Sequence, residues 1–236
     1  MTAASSAVAE VLPSDVPPPL VNGDRLMRDE FERRYDAMPQ VKKAELIEGR
    51  VYMPSPVSYL HHAAPHSDLV GWLIAYRAGT PHVAVGDNAT VRLDLDNEPQ
   101  PDIVLRIESA KGGQSWIDER GYLEGCPELI AEVSASSVSY DLHDKMNAYR
   151  RNGIREYVVW RVLDGELDWF VLRGGVYERL LPDEAGLLKS EGFAGLWLDV
   201  AALLRGDMAT VLARLQEGLN GEDHATFVRR LSETTS

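Results

Sequence analysis

The sequence predicts an α/β fold, a mixed sheet flanked by helices, and three observations carry that prediction. The run "ELIAEVS" at 128–134 is apolar apart from its acids, the pattern of a strand covered on both faces in the middle of a sheet. It is followed by the helix-patterned "YDLHDKMNAYRRNG" and then by "REYVVWRV", so strand, helix and strand succeed one another. Finally, 236 residues, 44% hydrophobic and 26% charged, suffice for one substantial core and not for two large ones.

Taken in order, residues 1–25 are small, polar and proline-rich, with "PPP" at 17–19, and are expected to form a flexible tail. "DRLMRDEFERRYDAM" places Leu26, Phe31 and Tyr35 near one helical face before Pro39 stops it. "AELIEGRVYMPSP" reads as two short strands about a Glu48-Gly49 turn. The run "HSDLVGWLIAYRAG" puts Leu69, Val70, Leu73, Ile74 and Ala78 on one helical stripe, closed by Gly79. "HVAVGDNATVRLDLD" alternates as a strand does, and "PDIVLRIE" is a short β-branched strand. The polar, glycine-containing "SAKGGQSWIDERGYLEGCP" is an excursion between strands. After the central strand and its helix, ended by Gly153, come "REYVVWRV", "ELDWFVL" and "VYERLLP" as consecutive strands. "LDVAALLRGDMATVLARLQEGL" is an amphipathic helix and "HATFVRRLSETTS" one more. The domains expected are a main unit over 26–200 and a helical extension over 201–236.

Composition narrows the function. A net charge of −13 argues against a protein that coats nucleic acid through Lys and Arg, while leaving room for a local basic site. The single Cys126 permits no internal disulfide and no thiolate zinc site. No basic leader and no span of ~20 apolar residues is visible, so the expectation is a cytoplasmic protein away from membranes. The Gly-x-Ser-x-Gly elbow, the Gly-x-x-x-x-Gly-Lys phosphate loop and paired Cys motifs are all missing.

What remains is acidic chemistry at strand ends. Asp102 opens "PDIVLRI" and Glu132 lies near the end of "ELIAEV", so adjacent strands would bring both carboxylates to one sheet edge. Two carboxylates that close favour Mg²⁺ or Mn²⁺ between them. On the next helix Asp141, Lys145 and Tyr149 recur every fourth residue and share a face; alone, that stripe would be solvated, with a weak Asp141 to Lys145 pair. Between Asp141 and Arg155 the balance is +2, and Arg150 and Arg151 could meet a phosphate backbone or simply complement the helix's negative end. In "HHAAPH", Pro65 argues against one helix carrying both His62 and His66; a loop and then a helix cap is expected, with His66 near the site.

The ordered set "AELIEGRVYMPSP", "PDIVLRI", "PELIAEVSASS", Asp-x-x-x-Lys-x-x-x-Tyr and "RRNGIREYVVW" resembles the Uma-two family of restriction endonuclease-like proteins, within the PD-(D/E)XK nuclease superfamily, over roughly residues 30–200. The resemblance implies a PD-(D/E)XK-like mixed sheet flanked by helices and a metal-dependent endonuclease, with nucleic acid as partner and DNA favoured over RNA. It assigns Asp102 and Glu132 to the metal, and Lys145 to the superfamily's lysine, displaced onto the helix because Ser134 holds the usual position. Glu45 would complete the metal's shell, and Glu48 matches a second acid of the opening motif. The implied chemistry is phosphodiester hydrolysis with Lys145 orienting water or neutralising charge on the phosphorane. The alternative is the same fold without turnover, a binding or assembly module, with the C-terminal helices offering a homodimer surface.

Overall fold

The computed structural model describes residues 17–53 and 56–233. Residues 1–16 of the expected tail lie outside the described residues. The expectation of flexibility up to residue 25 needs correcting for the rest. Leu20 is buried against Phe31, Ala44, Leu46 and Val51. Gly23 N–H donates to the Val51 carbonyl at 2.8 Å and Leu26 N–H to that of Gly49 at 2.8 Å. One apolar side chain with a cluster to enter, together with backbone pairing, anchors a segment whose composition alone reads as tail.

Helix α1 (Arg28–Asp36) buries Phe31, and β1 (Glu45–Ile47) pairs with β2 (Arg50–Tyr52) as the expected hairpin. Its turn residues Glu48 and Gly49 have φ of 50° and 69°. Two left-handed residues match a primed turn, whose twist suits the flanking strands.

A second correction concerns Pro65. Residues Tyr59–Ala63 form a π-helical turn that runs directly into α2 (Ala64–Gly79), so His62 and His66 do belong to one continuous helix. In the wide turn Ala63 N–H reaches back to the Ser58 carbonyl and Ala64 N–H to that of Tyr59. The change of register falls where Pro65 has no N–H to give, so the helix passes through the proline without losing a bond it could have made.

Strands β3 (Val83–Asp87), β4 (Val91–Arg92) and β5 (Ile103–Ile107) follow. The polar excursion contains β6 (Ser115–Ile117) and β7 (Leu123–Gly125), which join β4 in a small three-stranded sheet. Next come β8 (Leu129–Ser134), the short helix α3 (Val138–Tyr140), a second π-helical turn over Asp141–Lys145, and α4 (Met146–Asn152). Gly153, at φ 80°, closes α4 as expected. Strands β9 (Glu156–Arg161), β10 (Glu166–Arg173) and β11 (Val176–Arg179) continue the main sheet. A hairpin of β12 (Leu187–Lys189) and β13 (Trp197–Asp199) precedes the terminal helices α5 (Val200–Leu204), α6 (Met208–Leu219) and α7 (Glu222–Ser232). The predicted single amphipathic helix is thus broken: Gly206 turns at φ 73°, and Asp207 starts α6 by accepting the Thr210 N–H at 3.1 Å.

The main sheet runs β11-β10-β9-β8-β5-β3, with β8 and β9 parallel and the other pairs antiparallel. This is the mixed sheet flanked by helices that the sequence predicts. On one face, Leu105, Leu129, Ala131 and Val158 pack with Trp72 of α2 and with Val211, Leu215 and Phe227 of the terminal helices. On the other, Val104, Ile130 and Val159 pack with Tyr149 and Ile154. Each such large apolar side chain contributes roughly 1.5–3 kcal/mol when fully buried. Among the described residues no helix is long and apolar enough to cross a membrane.

Candidate active site

The register of β5 against β8 pairs Ile103 with Ala131 and Val104 with Ile130. One step further along the same antiparallel ladder, Asp102 stands opposite Glu132. Side chains alternate along a strand, so both carboxylates lie on the face of Val104 and Ile130, the face that α4 covers.

The parallel step from β8 to β9 requires a crossover, and the crossover helix brings its first turns back over the end of β8. Asp141, Lys145 and Tyr149 therefore point at Glu132 instead of at solvent. Lys145 Nζ lies 2.8 Å from Glu132 Oε1, 3.0 Å from Glu45 Oε1 and 3.8 Å from Asp141 Oδ1. The Tyr149 hydroxyl donates to Glu132 Oε1 at 2.9 Å. Glu45 comes from β1 and also accepts the Gln100 N–H at 2.8 Å, which ties the N-terminal hairpin to the approach of β5. All five charged groups are nearly sealed: Glu45 and Asp102 are 5% exposed, and Glu132, Asp141 and Lys145 are 3% exposed.

Three carboxylates about one buried ammonium, with a fourth, Asp102, beside Glu132, leave an excess of negative charge. Burial, reinforced by the Asp102, Asp141 and Glu45 carboxylates, pushes Glu132 up to about 8 despite Lys145. Burial likewise raises Asp141, although Lys145 and the hydroxyls of Ser134 and Ser137 oppose it. For Lys145, burial works against the charge, but Glu132, Glu45 and Asp141 outweigh it and hold the ammonium well above the ordinary lysine range. A carboxylate that binds a proton this strongly is also a good ligand for a metal cation.

The donor set fits a hard divalent ion. Asp102 Oδ2 accepts the Val133 N–H at 2.8 Å. Among the described residues its Oδ1 meets only His62 Nε2 at 3.6 Å and Lys43 Nζ at 3.9 Å, beyond hydrogen-bond length. Glu132 Oε2 has a long contact with the Asp102 N–H at 3.4 Å. One oxygen of each carboxylate is thus free to coordinate, as suits an ion that keeps several of its own waters. Among the described residues no three His, Cys, Asp or Glu side chains form a ready-made cage.

Other predicted residues sit differently. Glu48, in the turn of the hairpin, pairs with Arg151 at 2.6 Å. Arg150 donates to the Gly175 carbonyl at 3.1 Å and to Asn147 Oδ1 at 2.9 Å, so both arginines are engaged within the chain. His66 Nε2 lies 3.2 Å from the Asp102 carbonyl and 3.1 Å from Asp87 Oδ1, bracing the backbone of the site. Sequence reasoning gives no role to His62 or Tyr140, yet both reach the site. The Tyr140 ring packs against Tyr52 with centroids 4.2 Å apart and planes tilted by 38°, and lies 5.3 Å from Lys145 Nζ. A signal for it does exist in the chain, since Tyr140 directly precedes Asp141 on the helix that carries the fourfold stripe.

A family model described as "Uma2: Putative restriction endonuclease" matches residues 28–201. Among solved structures, the chain is similar to "a putative nuclease belonging to DUF820 from Anabaena variabilis ATCC 29413", determined at 1.96 Å. The identity is 17% and the TM-score 0.48, over 72% of this chain and 97% of that one. No curated protein matches the chain.

Proposed function

The chain belongs to the Uma2 family of restriction endonuclease-like proteins, and from that membership we propose that it is a metal-dependent endonuclease hydrolysing phosphodiester bonds, in DNA in preference to RNA. One observation carries the reading beyond family membership: Glu45, Glu132 and Asp141 surround one ammonium, Lys145, with Asp102 beside Glu132, all in a nearly sealed position. Uncompensated, such a cluster is costly, and its excess charge is what a Mg²⁺ or Mn²⁺ ion would neutralise.

Asp102 and Glu132 would hold the ion through their uncommitted oxygens, with Glu45 close by. A bound divalent ion supplies Lewis-acid polarisation of the phosphate and a lowered pKa for water. Lys145 stays protonated at neutral pH, so it serves as a fixed positive charge beside the phosphate and not as a base. Glu45 and Glu132 hold that ammonium in place, Tyr149 fixes the rotamer of Glu132, and Asp141 is itself fixed by Ser134 and Ser137. The near absence of solvent around these groups strengthens each of their electrostatic interactions. The same reading keeps the protein in the cytoplasm, where nucleic acid and a reducing milieu for Cys126 coincide.

The test is cleavage of supercoiled plasmid, labelled single-stranded DNA and labelled RNA with Mg²⁺, Mn²⁺ or EDTA. Asp102→Asn and Lys145→Met proteins, checked for folding by circular dichroism, run alongside. Metal-dependent nicking that both substitutions reduce by at least about a hundredfold is expected. Cleavage that persists in EDTA, or full activity in Asp102→Asn, would refute the proposal. Binding without cleavage in every metal would favour the silent module instead.

A further inference from the structure

His62 is the feature of this site that neither the sequence motifs nor the family match assigns. Its side chain is 19% exposed and faces Asp102. Nδ1 lies 3.0 Å from the Val133 carbonyl oxygen. A carbonyl can only accept, so the proton of the neutral ring sits on Nδ1 and the lone pair sits on Nε2. That lone pair points toward Asp102 Oδ1 at 3.6 Å. At 3.6 Å the two atoms are beyond hydrogen-bond length, so no hydrogen bond commits Nε2 to Asp102.

The surroundings hold the ring in this pose. His62 stacks on His66 with centroids 5.7 Å apart and planes 7° apart, and His66 is itself tied to the Asp102 carbonyl. The π-helical turn Tyr59–Ala63 sets the angle at which His62 leaves the helix. Val133 supplies both the carbonyl that orients His62 and the N–H that orients Asp102. One peptide segment of β8 therefore aims an imidazole nitrogen and a carboxylate oxygen at a common point. A histidine whose Nδ1–H is held by a backbone carbonyl while Nε2 stays free is the arrangement of a metal ligand with its outer support already built.

We propose that His62 Nε2 is a direct ligand of the divalent ion, joining Asp102 Oδ1 and giving the site a mixed nitrogen and oxygen donor set. The proposal rests on the nuclease reading only for the location of the metal. A nitrogen donor shifts preference from Mg²⁺ toward transition metals, so Mn²⁺ binds more tightly than Mg²⁺.

The experiment uses the full chain, with Mn²⁺ and Mg²⁺ themselves as probes. Pulsed electron paramagnetic resonance of bound Mn²⁺ is expected to show a directly coordinated ¹⁴N, absent in His62→Gln. Calorimetric titration should give Mn²⁺ binding weakened on the order of tenfold or more in that variant, with Mg²⁺ affected less. His66→Gln retains the nitrogen coupling. Mn²⁺ that binds through Asp102 with no nitrogen coupling overturns the proposal and leaves the nuclease reading intact. Failure of the wild-type chain to bind Mn²⁺ overturns it as well. Nitrogen-coupled Mn²⁺ in a protein that cleaves no nucleic acid supports the ligand and defeats the nuclease.

Discussion

Replacing Lys145 with Met removes the only ammonium held among Glu45, Glu132 and Asp141 while keeping a side chain of similar length. That ammonium stands 3.0, 2.8 and 3.8 Å from the three carboxylates in turn. Deleting one partner of a buried ion pair typically costs about 3–5 kcal/mol, because the remaining charge stays buried without compensation. For a chain of this size each kcal/mol moves the melting temperature by roughly 2–4 °C, so the metal-free variant should melt roughly 6–20 °C below wild type at pH 8. The deficit should shrink as pH falls. Glu132 is already pushed up to about 8 from 4.5 with Lys145 present, and without it the carboxyls hold protons more strongly still. A raised folded-state pKa means that the folded protein binds more protons than the unfolded chain between those values, so stability is gained as pH falls from about 8 toward 4.5. Differential scanning fluorimetry and urea unfolding in EDTA at pH 8 and pH 5.5 make the measurement. Adding Glu132→Gln to Lys145→Met should restore part of the loss. A variant as stable as wild type at pH 8, or one with the same deficit at both pH values, would show that Lys145 does not neutralise a buried acidic cluster.

Tyr149→Phe removes a hydroxyl that donates to Glu132 Oε1 at 2.9 Å, and urea unfolding at pH 9, where Glu132 is ionised, should show about 1.5–3 kcal/mol lost, as for hydrogen bonds to charged groups. Burial, with Glu32 beside it, pushes Glu98 up to about 8 against the opposing Arg92 and Arg28. Its ionisation therefore costs stability as pH rises from 4.5 through that value. Glu98→Gln should accordingly raise the melting temperature relative to wild type at pH 8.5 and change it little at pH 5, and a difference independent of pH would contradict this. Asp207→Ala deletes the cap that accepts the Thr210 N–H, and should lower the urea midpoint of unfolding, with Asp207→Asn retaining most of it.

The sequence made the centre of the fold legible because its signals there are local. Leu129, Ile130, Ala131 and Val133 announce a strand covered on both sides, Gly153 marks where α4 ends, and the fourfold spacing of Asp141, Lys145 and Tyr149 survives as one face turned toward Glu132. The meeting of Asp102 with Glu132 also follows once the two strands are taken as neighbours. What escaped the sequence depends on distant partners. Leu20 is buried because α1 and the first hairpin leave a place for it. The excursion forms β6 and β7 as an antiparallel pair, and β4, more than thirty positions before β7, adds a third strand by pairing with β7. Arg151 is held by Glu48, 103 positions away. Pro65 misled for a different reason, since the proline rule presumes α-helical bonding and the preceding turn is wider.

Among the described residues wide turns occur twice, at Tyr59–Ala63 and Asp141–Lys145, and each lies in a helix that supplies groups to the carboxylate cluster. In an α-helix a step of four residues overshoots a full rotation by about 40°, so three groups spaced by four would fan out. A π-helical turn takes more residues to come round, and four residues fall short instead of overshooting. Placed between Asp141 and Lys145, it offsets the drift that follows between Lys145 and Tyr149, so that Asp141 meets Lys145 while Lys145 and Tyr149 both meet Glu132. The single additional residue in that turn of helix thus acts as a phase correction: excising one that carries no group of the cluster would leave Asp141, Lys145 and Tyr149 present while swinging them out of phase.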